Sequence, residues 1–150
     1  MFQGEFMALE EIRTAIDGFA PTPLLQREVQ DQSLLAMEFI QLSSGKCLDA
    51  SIQRTMGAKL AELHKHTSGN GKFGFDTTTY CGSTAQPNEW MDSWVNFWKQ
   101  KRLGMMKEHL AFDFELVPLL EELVECCDAL FEGVGPVQSS LLHGDLCESQ

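Results

Sequence analysis

The chain has 150 residues, of which 43% are hydrophobic, and this composition suits one ordinary core and excludes a disordered or fibrous protein. Its formal net charge of −11 argues against nucleic acid and anionic membrane surfaces as partners, because both are polyanions. The first residues do not form a signal peptide, and no run approaches the roughly 20 apolar residues that span a bilayer.

The first half of the chain is predicted to contain two helices and a pair of strands. Apolar residues recur on one face at helical spacing in residues 1–16, which predicts an amphipathic helix. Two segments of residues 24–30 and 33–42 are typical of the strands of a meander, with Asp31 near the turn. The same periodicity predicts a second helix over residues 51–67.

The second half is predicted to be mainly helical. A loop begins at FGFDTTTYCG, residues 73–82. A long helix should run from Asn88 to about Ala111, and another from about Phe114 to Phe131, where two glycines and a proline end it. A short strand, VQSSLL, then leads into the sequence LLHGDL.

Cysteine usage indicates a reducing compartment. The five cysteines are odd in number and include the adjacent pair Cys126 and Cys127, but no C-x-x-C pair. Reduced thiols in the cytosol fit this pattern better than a disulfide framework. A cytoplasmic location is therefore expected, or an organelle if a targeting segment precedes this sequence. Buried inert thiols are the expected state of Cys81, Cys126 and Cys127, and a redox switch is the alternative.

Charge is distributed unevenly along the chain. All eleven Lys and Arg lie at or before Lys107, whereas the last 43 residues contain ten Asp and Glu. The acids between Asp113 and Glu132 are interpreted as the solvated face of a helix. If Asp145 handles a phosphate-bearing substrate, a metal ion or another part of the fold must supply the balancing positive charge.

Two features of the helices raise functional questions. On a helical wheel Glu5 falls between Ile12 and Ile16, where a buried carboxylate would require a cation. Alternatively, Glu5 turns to solvent at the positive end of the helix dipole. Tryptophans also recur every four residues at Trp90, Trp94 and Trp98; such a stripe usually packs a core, and a sugar-stacking surface is the alternative.

The motifs MFQGE, LAMEFI, LAELHKH, FGF, TYCG, NEWMDSWVNFW and LLHGDL, in this order, resemble the fructosamine kinase family, also called ketosamine-3-kinases. The resemblance implies an α+β, protein-kinase-like fold related to aminoglycoside phosphotransferases. Residues 1–42 would form an incomplete N-lobe with a glutamate-bearing helix, two strands and the hinge. Residues 43–150 would form a partial, mainly helical C-lobe that ends in the catalytic loop.

The resemblance also implies roles for residues that bind ATP and magnesium. Glu5 matches the glutamate that pairs with a lysine on a preceding strand. Glu38, Phe39 and Ile40 match the hinge, whose backbone would hold the adenine edge. Gln150 occupies the slot of a magnesium-binding asparagine, although its extra methylene group suits the strict octahedral geometry of magnesium poorly.

The catalytic and substrate residues implied by the resemblance lie in two motifs. Asp145 matches the catalytic base of the loop, and His143 would mainly support that loop beside the substrate. Trp94 is a candidate for stacking on the sugar. The family usually continues HGDLWSGN where this chain reads HGDLCESQ, so Cys147 replaces a further tryptophan.

The implied function is ATP-dependent phosphorylation of the 3-hydroxyl of ribulosamine or fructosamine, carried by protein lysines or by small ketosamines. Such a kinase would initiate protein deglycation. The 150 residues alone are predicted to be inactive, because the phosphate loop and its lysine are not in this sequence. The alternatives are a non-catalytic interaction or regulatory fragment and a related small-molecule kinase.

Overall fold

A computed structural model of the protein describes residues 1–41, 49–144 and 146. The chain divides into two compact units, one of residues 1–67 with the segment from Ser140 onward and the other of residues 68–139. The lobe boundary at residue 42 remains a prediction. None of the described helices combines the length and apolar character needed to cross a bilayer.

The first unit contains two helices and a β-hairpin. Their bounds are α1 Phe2–Ala15, β1 Pro23–Val29, β2 Gln32–Met37 and α2 Ala50–Leu63. These elements match the sequence prediction, except that β2 ends at Met37, before the predicted end at residue 42, and α2 ends four residues earlier than expected. Beyond it, Lys65 and His66 donate to the carbonyls three residues back, so the chain tightens into turns.

Leu63 is the centre of the first unit's core. It is completely buried and packs with Ile12 of α1 and with Ile16, which directly follows that helix; both are also buried. Leu141 packs against the same cluster, and its N–H donates to the His66 carbonyl at 2.8 Å. The segment that leads into the LLHGDL motif is therefore fixed to both helices of this unit.

Local chemistry explains the hairpin and the start of α2. Strands β1 and β2 pair in antiparallel fashion, with Arg27 opposite Leu34. Gln30 and Asp31 turn the chain with φ angles of 49° and 63°, which is the positive-φ turn that suits the twist of a hairpin. At the other element, the Asp49 carboxylate accepts from the backbone N–H groups of Ser51 and Ile52 and caps α2.

The second unit contains a short hairpin and a helical pair. Its elements are β3 Thr79–Cys81, β4 Thr84–Gln86, α3 Trp94–Phe97, a π-helical segment Trp98–Gly104, α4 Met105–His109 and α5 Leu116–Leu130. The hairpin falls in a region predicted to be loop. The prediction of a strand at VQSSLL is also wrong, because residues 137–142 pair with no strand in the described part of the chain.

The long helix begins at Trp94, six residues later than predicted. Residues 88–91 instead pair with the FGF loop, where Phe73 and Met91 exchange two backbone hydrogen bonds of 2.8 Å. Those backbone groups are consequently unavailable to a helix. Ser93 marks the true start, since its hydroxyl accepts from the Asn96 N–H as an N-cap.

We expect Leu63→Ala to lower the free energy of unfolding by about 2–5 kcal/mol, because it leaves a cavity under two helices. Ile52→Ala is the matched control on the same helix, since the Ile52 side chain is exposed. Urea denaturation followed by circular dichroism measures both. Equal losses of stability in the two variants would contradict the assignment of this core.

Candidate functional site

Glu5 lies in the first turn of α1 and its side chain is exposed. Leu9 and Ile12, one and two turns later, are buried. The buried apolar side chains of α1 therefore begin only after Glu5. The Glu5 carboxylate lies in solvent near the positive end of the helix dipole. Of the two interpretations of Glu5, the structure agrees with the solvent-facing one.

Glu38 closes the base of the β-hairpin. Its Oε2 atom accepts from the Thr22 N–H at 3.1 Å and from the Thr22 hydroxyl at 2.9 Å. The Glu38 N–H donates to the Thr22 carbonyl at 2.8 Å. The backbone hydrogen bond from Thr22, followed by that from its hydroxyl, holds the pKa of Glu38 below its ordinary value.

The two residues after Glu38 present a different surface. The Phe39 side chain is 87% exposed, and Ile40 is exposed as well. Among the described residues, neither the Glu38 carbonyl nor the Ile40 N–H makes a hydrogen bond. The Glu38 N–H, by contrast, is occupied by its bond to the Thr22 carbonyl.

The HGD sequence follows the anchored residue Leu141 after one residue. His143 is exposed, and Gly144 has a φ of 87°, a conformation that favours glycine. Asp145 and Gln150, the predicted base and metal ligand, lie outside the described residues. Within the described part of the chain, no group of three His, Cys, Asp or Glu side chains is placed to hold a metal ion.

The aromatic residues of the second unit form a cluster around Trp94. Its ring lies 5.4 Å from that of Phe73, 5.8 Å from that of Phe97 and 6.1 Å from that of Trp98. Trp90 lies before the helix and donates from Nε1 to Asp76 at 2.7 Å. The predicted tryptophan stripe is thus split between an extended segment and the helix.

An open groove of about 280 Å³ lies beside Trp94. Its lining combines aromatic and aliphatic surface with Asp92 and Ser93. The Asp92 carboxylate pairs with Lys72 at 3.1 Å, and both side chains are exposed. A groove lined by the aromatic residues Phe73, Trp94 and Phe131, with polar groups beside them, has the chemistry that stacks on and hydrogen-bonds to a sugar.

A polar network that the sequence did not reveal holds this region together. Asn88 is 4% exposed, and its amide donates to the Thr77 carbonyl and the Thr79 hydroxyl. Arg102 donates to the Asn88 side-chain oxygen at 2.7 Å, and its guanidinium lies 4.6 Å from the centre of the Phe97 ring. Burial lowers the pKa of the Arg102 guanidinium.

The cysteines only partly agree with the sequence expectation. Cys127 is buried on α5, as predicted for an inert thiol. Cys81 and Cys126 are exposed, so the prediction of burial is wrong for them. Alternation of exposed and buried positions along a helix explains why adjacent cysteines differ in this way.

The predicted site residues are divided between the two units. Glu5, the hinge residues and His143 belong to the first unit, whereas Trp94 belongs to the second. The core around Leu63 joins α1 to the segment leading into the HGD sequence. The segments that carry two of the motifs, MFQGE and LLHGDL, therefore meet at one core.

Comparison with known proteins agrees with this pattern. A family model described as fructosamine kinase matches residues 1–149. The chain belongs to the fructosamine kinase family. The resemblance carried by the sequence motifs is therefore confirmed for the whole matched range.

The match to one curated relative spans nearly all of this chain. A chloroplastic protein-ribulosamine 3-kinase of Arabidopsis thaliana is 32% identical over 150 residues, a match that spans 97% of this chain and 44% of the relative. The chain thus spans less than half the length of that kinase.

Two crystal structures have the same fold as this family member. Both are of fructosamine-3-kinase candidates. The one from Haemophilus somnus 129PT has a TM-score of 0.73 at 24% identity and covers 91% of this chain and 45% of its own. The one from Thermobifida fusca YX-ER1 has a TM-score of 0.76 at 21% identity and covers 97% and 48%. The predicted α+β, protein-kinase-like class is confirmed.

We expect Glu38 to stabilise the folded protein less as the pH falls. Its pKa is lowered in the folded state, so its contribution is complete above the unfolded pKa and is lost as the pH falls through the folded pKa. The chemical shift of the Thr22 amide proton, measured by NMR, should titrate below the ordinary glutamate value of about 4.3.

Two variants test the assignment of that titration. Glu38→Gln should abolish the acid titration of the Thr22 amide, whereas Glu28→Gln on the same hairpin should leave it unchanged. A Thr22 titration that persists in Glu38→Gln would refute the contact.

We expect Gly74→Ala to destabilise the second unit by about 1–3 kcal/mol, through crowding and strain. Gly74 has a φ of 153°, and an added Cβ would lie 2.6 Å from the Asn88 carbonyl oxygen. Gly71→Ala is the control, because Gly71 also has a positive φ of 69° but faces open space. Urea denaturation with tryptophan fluorescence should show the larger loss for Gly74→Ala, and equal losses would contradict the steric explanation.

Proposed function

We propose that these residues form part of an ATP-dependent ketosamine 3-kinase. The reaction is phosphorylation of the 3-hydroxyl of ribulosamine or fructosamine on protein lysines, or on small ketosamines. The unstable product then sheds its sugar, so the activity leads to protein deglycation. The observation that supports this proposal is the shared core of Ile12, Ile16, Leu63 and Leu141. It joins the Glu5 helix to Leu141, two residues before His143 of the HGD sequence.

The hinge supports the ATP part of the proposal. The Glu38 carbonyl and the Ile40 N–H offer one acceptor and one donor on the same exposed segment, and Phe39 lies between them with its ring exposed. Adenine presents the complementary donor and acceptor along one edge. The bond between the Glu38 side chain and Thr22 would fix the backbone at this position. Glu5, exposed at the start of α1, would pair with the lysine that contacts the phosphates.

Asp145 is proposed as the group that accepts the proton of the attacking 3-hydroxyl. Its main task would be to hold that hydroxyl in line with the γ-phosphate by a hydrogen bond. His143 would support the loop, and Gln150 would take the place of the magnesium-binding asparagine. Bound magnesium would supply charge neutralisation of the phosphates.

Trp94 is proposed as a substrate contact. The groove beside it offers a ring face, the Ser93 hydroxyl and the Asp92 carboxylate. A ketosamine combines a polyhydroxylated chain with a protonated secondary amine, and these groups match the polar atoms of the groove.

A cytoplasmic location is proposed, with an organelle as the alternative because the Arabidopsis thaliana relative is described as chloroplastic.

A non-catalytic role is the second candidate for a polypeptide of only these residues. The segment lacks a glycine-rich phosphate loop, and it carries exposed apolar side chains such as Leu24, Leu119 and Leu130. Large exposed apolar surfaces are typical of interaction sites. A related kinase for amino alcohols or antibiotics is less well supported, because the match is to the fructosamine kinase family model.

The polypeptide that carries these residues should first be isolated from its source cells with an antibody and its intact mass measured. A mass far above 16.8 kDa should accompany ATP-dependent phosphorylation of ribulose-lysine or fructose-lysine peptides, detected as a phosphate mass increment. Asp145→Asn should abolish that product, whereas Asp113→Asn, outside the catalytic loop, should not.

A polypeptide near 16.8 kDa should yield no product. Phosphorylation by the 150 residues alone that is lost in Asp145→Ala would refute the predicted inactivity. A longer polypeptide that phosphorylates neither ketosamine would refute the proposed activity.

A further inference from the structure

Three aromatic side chains line the groove beside Trp94. Phe73, Trp94 and Phe131 are each half-buried and contribute to its walls. The rings of Phe73 and Trp94 lie 5.4 Å apart and are inclined by 50°, so the two rings form an angled pair and not a flat stack. Angled rings with electron-rich faces are the arrangement that receives an alkylated ammonium group.

Backbone contacts hold the walls of the groove in place. Phe73 and Met91 exchange two backbone hydrogen bonds of 2.8 Å, and Asp92 follows Met91 directly. Trp94 is the first residue of α3, which the Ser93 hydroxyl caps. The rings of Phe73 and Trp94 and the Asp92 carboxylate thus belong to two paired segments, and this part of the groove is preformed, as ligand sites usually are.

The charge that lines the groove has one sign. Of the described residues that line it, only Asp92 is charged. A carboxylate and an aromatic face both attract a cation, whereas a neutral hydroxyl that enters the groove exchanges one hydrogen bond to water for another. The groove is therefore complementary to a cation more than to a neutral sugar.

An ammonium group already lies at this carboxylate. Lys72 Nζ is 3.1 Å from Asp92 Oδ1, and the two side chains are 42% and 84% exposed. An ion pair with this much solvent around it contributes little to stability. An incoming ammonium group can therefore take the place of Lys72, because the Lys72 side chain is free to return to water.

We propose that the groove binds the alkylated ammonium group of a modified lysine side chain. Asp92 pairs with that ammonium group in place of Lys72, and the rings of Phe73 and Trp94 contact its alkyl substituents. The Ser93 hydroxyl then remains for the sugar. This inference rests on the proposed function, because it names the part of a ketosamine that the groove recognises.

Peptide binding without phosphate transfer tests the proposal. One labelled peptide is made with Nε-methyl-lysine, Nε-acetyl-lysine or Nε-fructosyl-lysine at the same position, and fluorescence anisotropy gives the Kd of each for the full 150-residue chain. The methyl-lysine peptide keeps the secondary ammonium group without a sugar, and the acetyl-lysine peptide removes the charge. The methyl-lysine peptide should bind at least about tenfold more tightly than the acetyl-lysine peptide. Equal affinities would overturn the proposal.

The two members of the ion pair should have opposite effects on binding. Asp92→Asn should weaken binding of the methyl-lysine peptide by about fivefold or more, because the carboxylate is lost. Lys72→Met should tighten it by about two- to fivefold, because the carboxylate no longer exchanges one ammonium group for another. A pair that only stabilised the fold would weaken binding in both variants, and that result would refute the exchange.

The ion pair of Lys107 and Glu121 provides matched controls. Its Nζ–Oε1 distance is 2.9 Å, its lysine is 45% exposed, and both residues lie in the same unit but outside the groove. Lys107→Met and Glu121→Gln should leave the Kd of the methyl-lysine peptide unchanged. Equal losses in Glu121→Gln and Asp92→Asn would assign binding to general attraction by the acidic chain and overturn the site. Circular dichroism establishes that each variant is folded.

The same peptides separate this inference from the proposed function. Binding of the methyl-lysine peptide by a polypeptide that phosphorylates neither ketosamine would support the groove while the kinase activity fails. Binding of the fructosyl-lysine peptide without binding of the methyl-lysine peptide would overturn the inference and leave a ketosamine as the substrate.

Discussion

The burial of Leu63 is the constraint on which the first unit depends. This side chain is completely enclosed and packs Ile12 of α1, and Ile16 at the end of that helix, against the end of α2. Leu141 completes the cluster from a point far along the chain. One apolar contact thus links three segments that are distant in sequence, and burying them removes the hydrophobic surface that neither helix could hide alone.

In the second unit, hydrogen bonds between polar groups fix the FGF loop to the helix that follows it. Asn88 satisfies its side-chain amide within the FGF loop and offers its oxygen to Arg102. The guanidinium also donates to the Pro87 carbonyl at 2.9 Å and rests against the Phe97 ring. A buried network of this kind favours one register of loop and helix, because a shifted register would leave charged and amide groups unpaired.

Much of the fold was predictable where local signals are strong. The periodicity of α1 and α5 and the turn at Asp31 were sufficient to place those elements. The start of α3 was missed even though Ser93 is a recognisable N-cap, because the tryptophan repeat suggested one continuous helix. Pairing of Phe73 with Met91 joins residues 18 positions apart, and hydrophobic periodicity carries no information about such pairs.

The candidate site was predictable mainly through its motifs. The HGD sequence and residues 38–40 were selected because they resemble motifs of a family, and their roles stay predictions. The bond between Thr22 and Glu38 was not predicted, because nothing near Glu38 in the sequence points to Thr22. Arg102 was missed for a similar reason, since an arginine on a helix usually faces solvent.

The π-helical segment Trp98–Gly104 has a consequence for how this region tolerates insertions and deletions. A π-helical turn holds one residue more than an α-helical turn, and each residue of an α-helix advances the chain by about 100°. Removing one residue from this segment would let the run from Trp94 to His109 become a uniform α-helix. The residues of α4 would keep nearly the same direction relative to Trp94, because the extra residue of a π-helical turn is accommodated within that turn. The segment therefore takes up an additional residue while the helices after the aromatic cluster keep their phase.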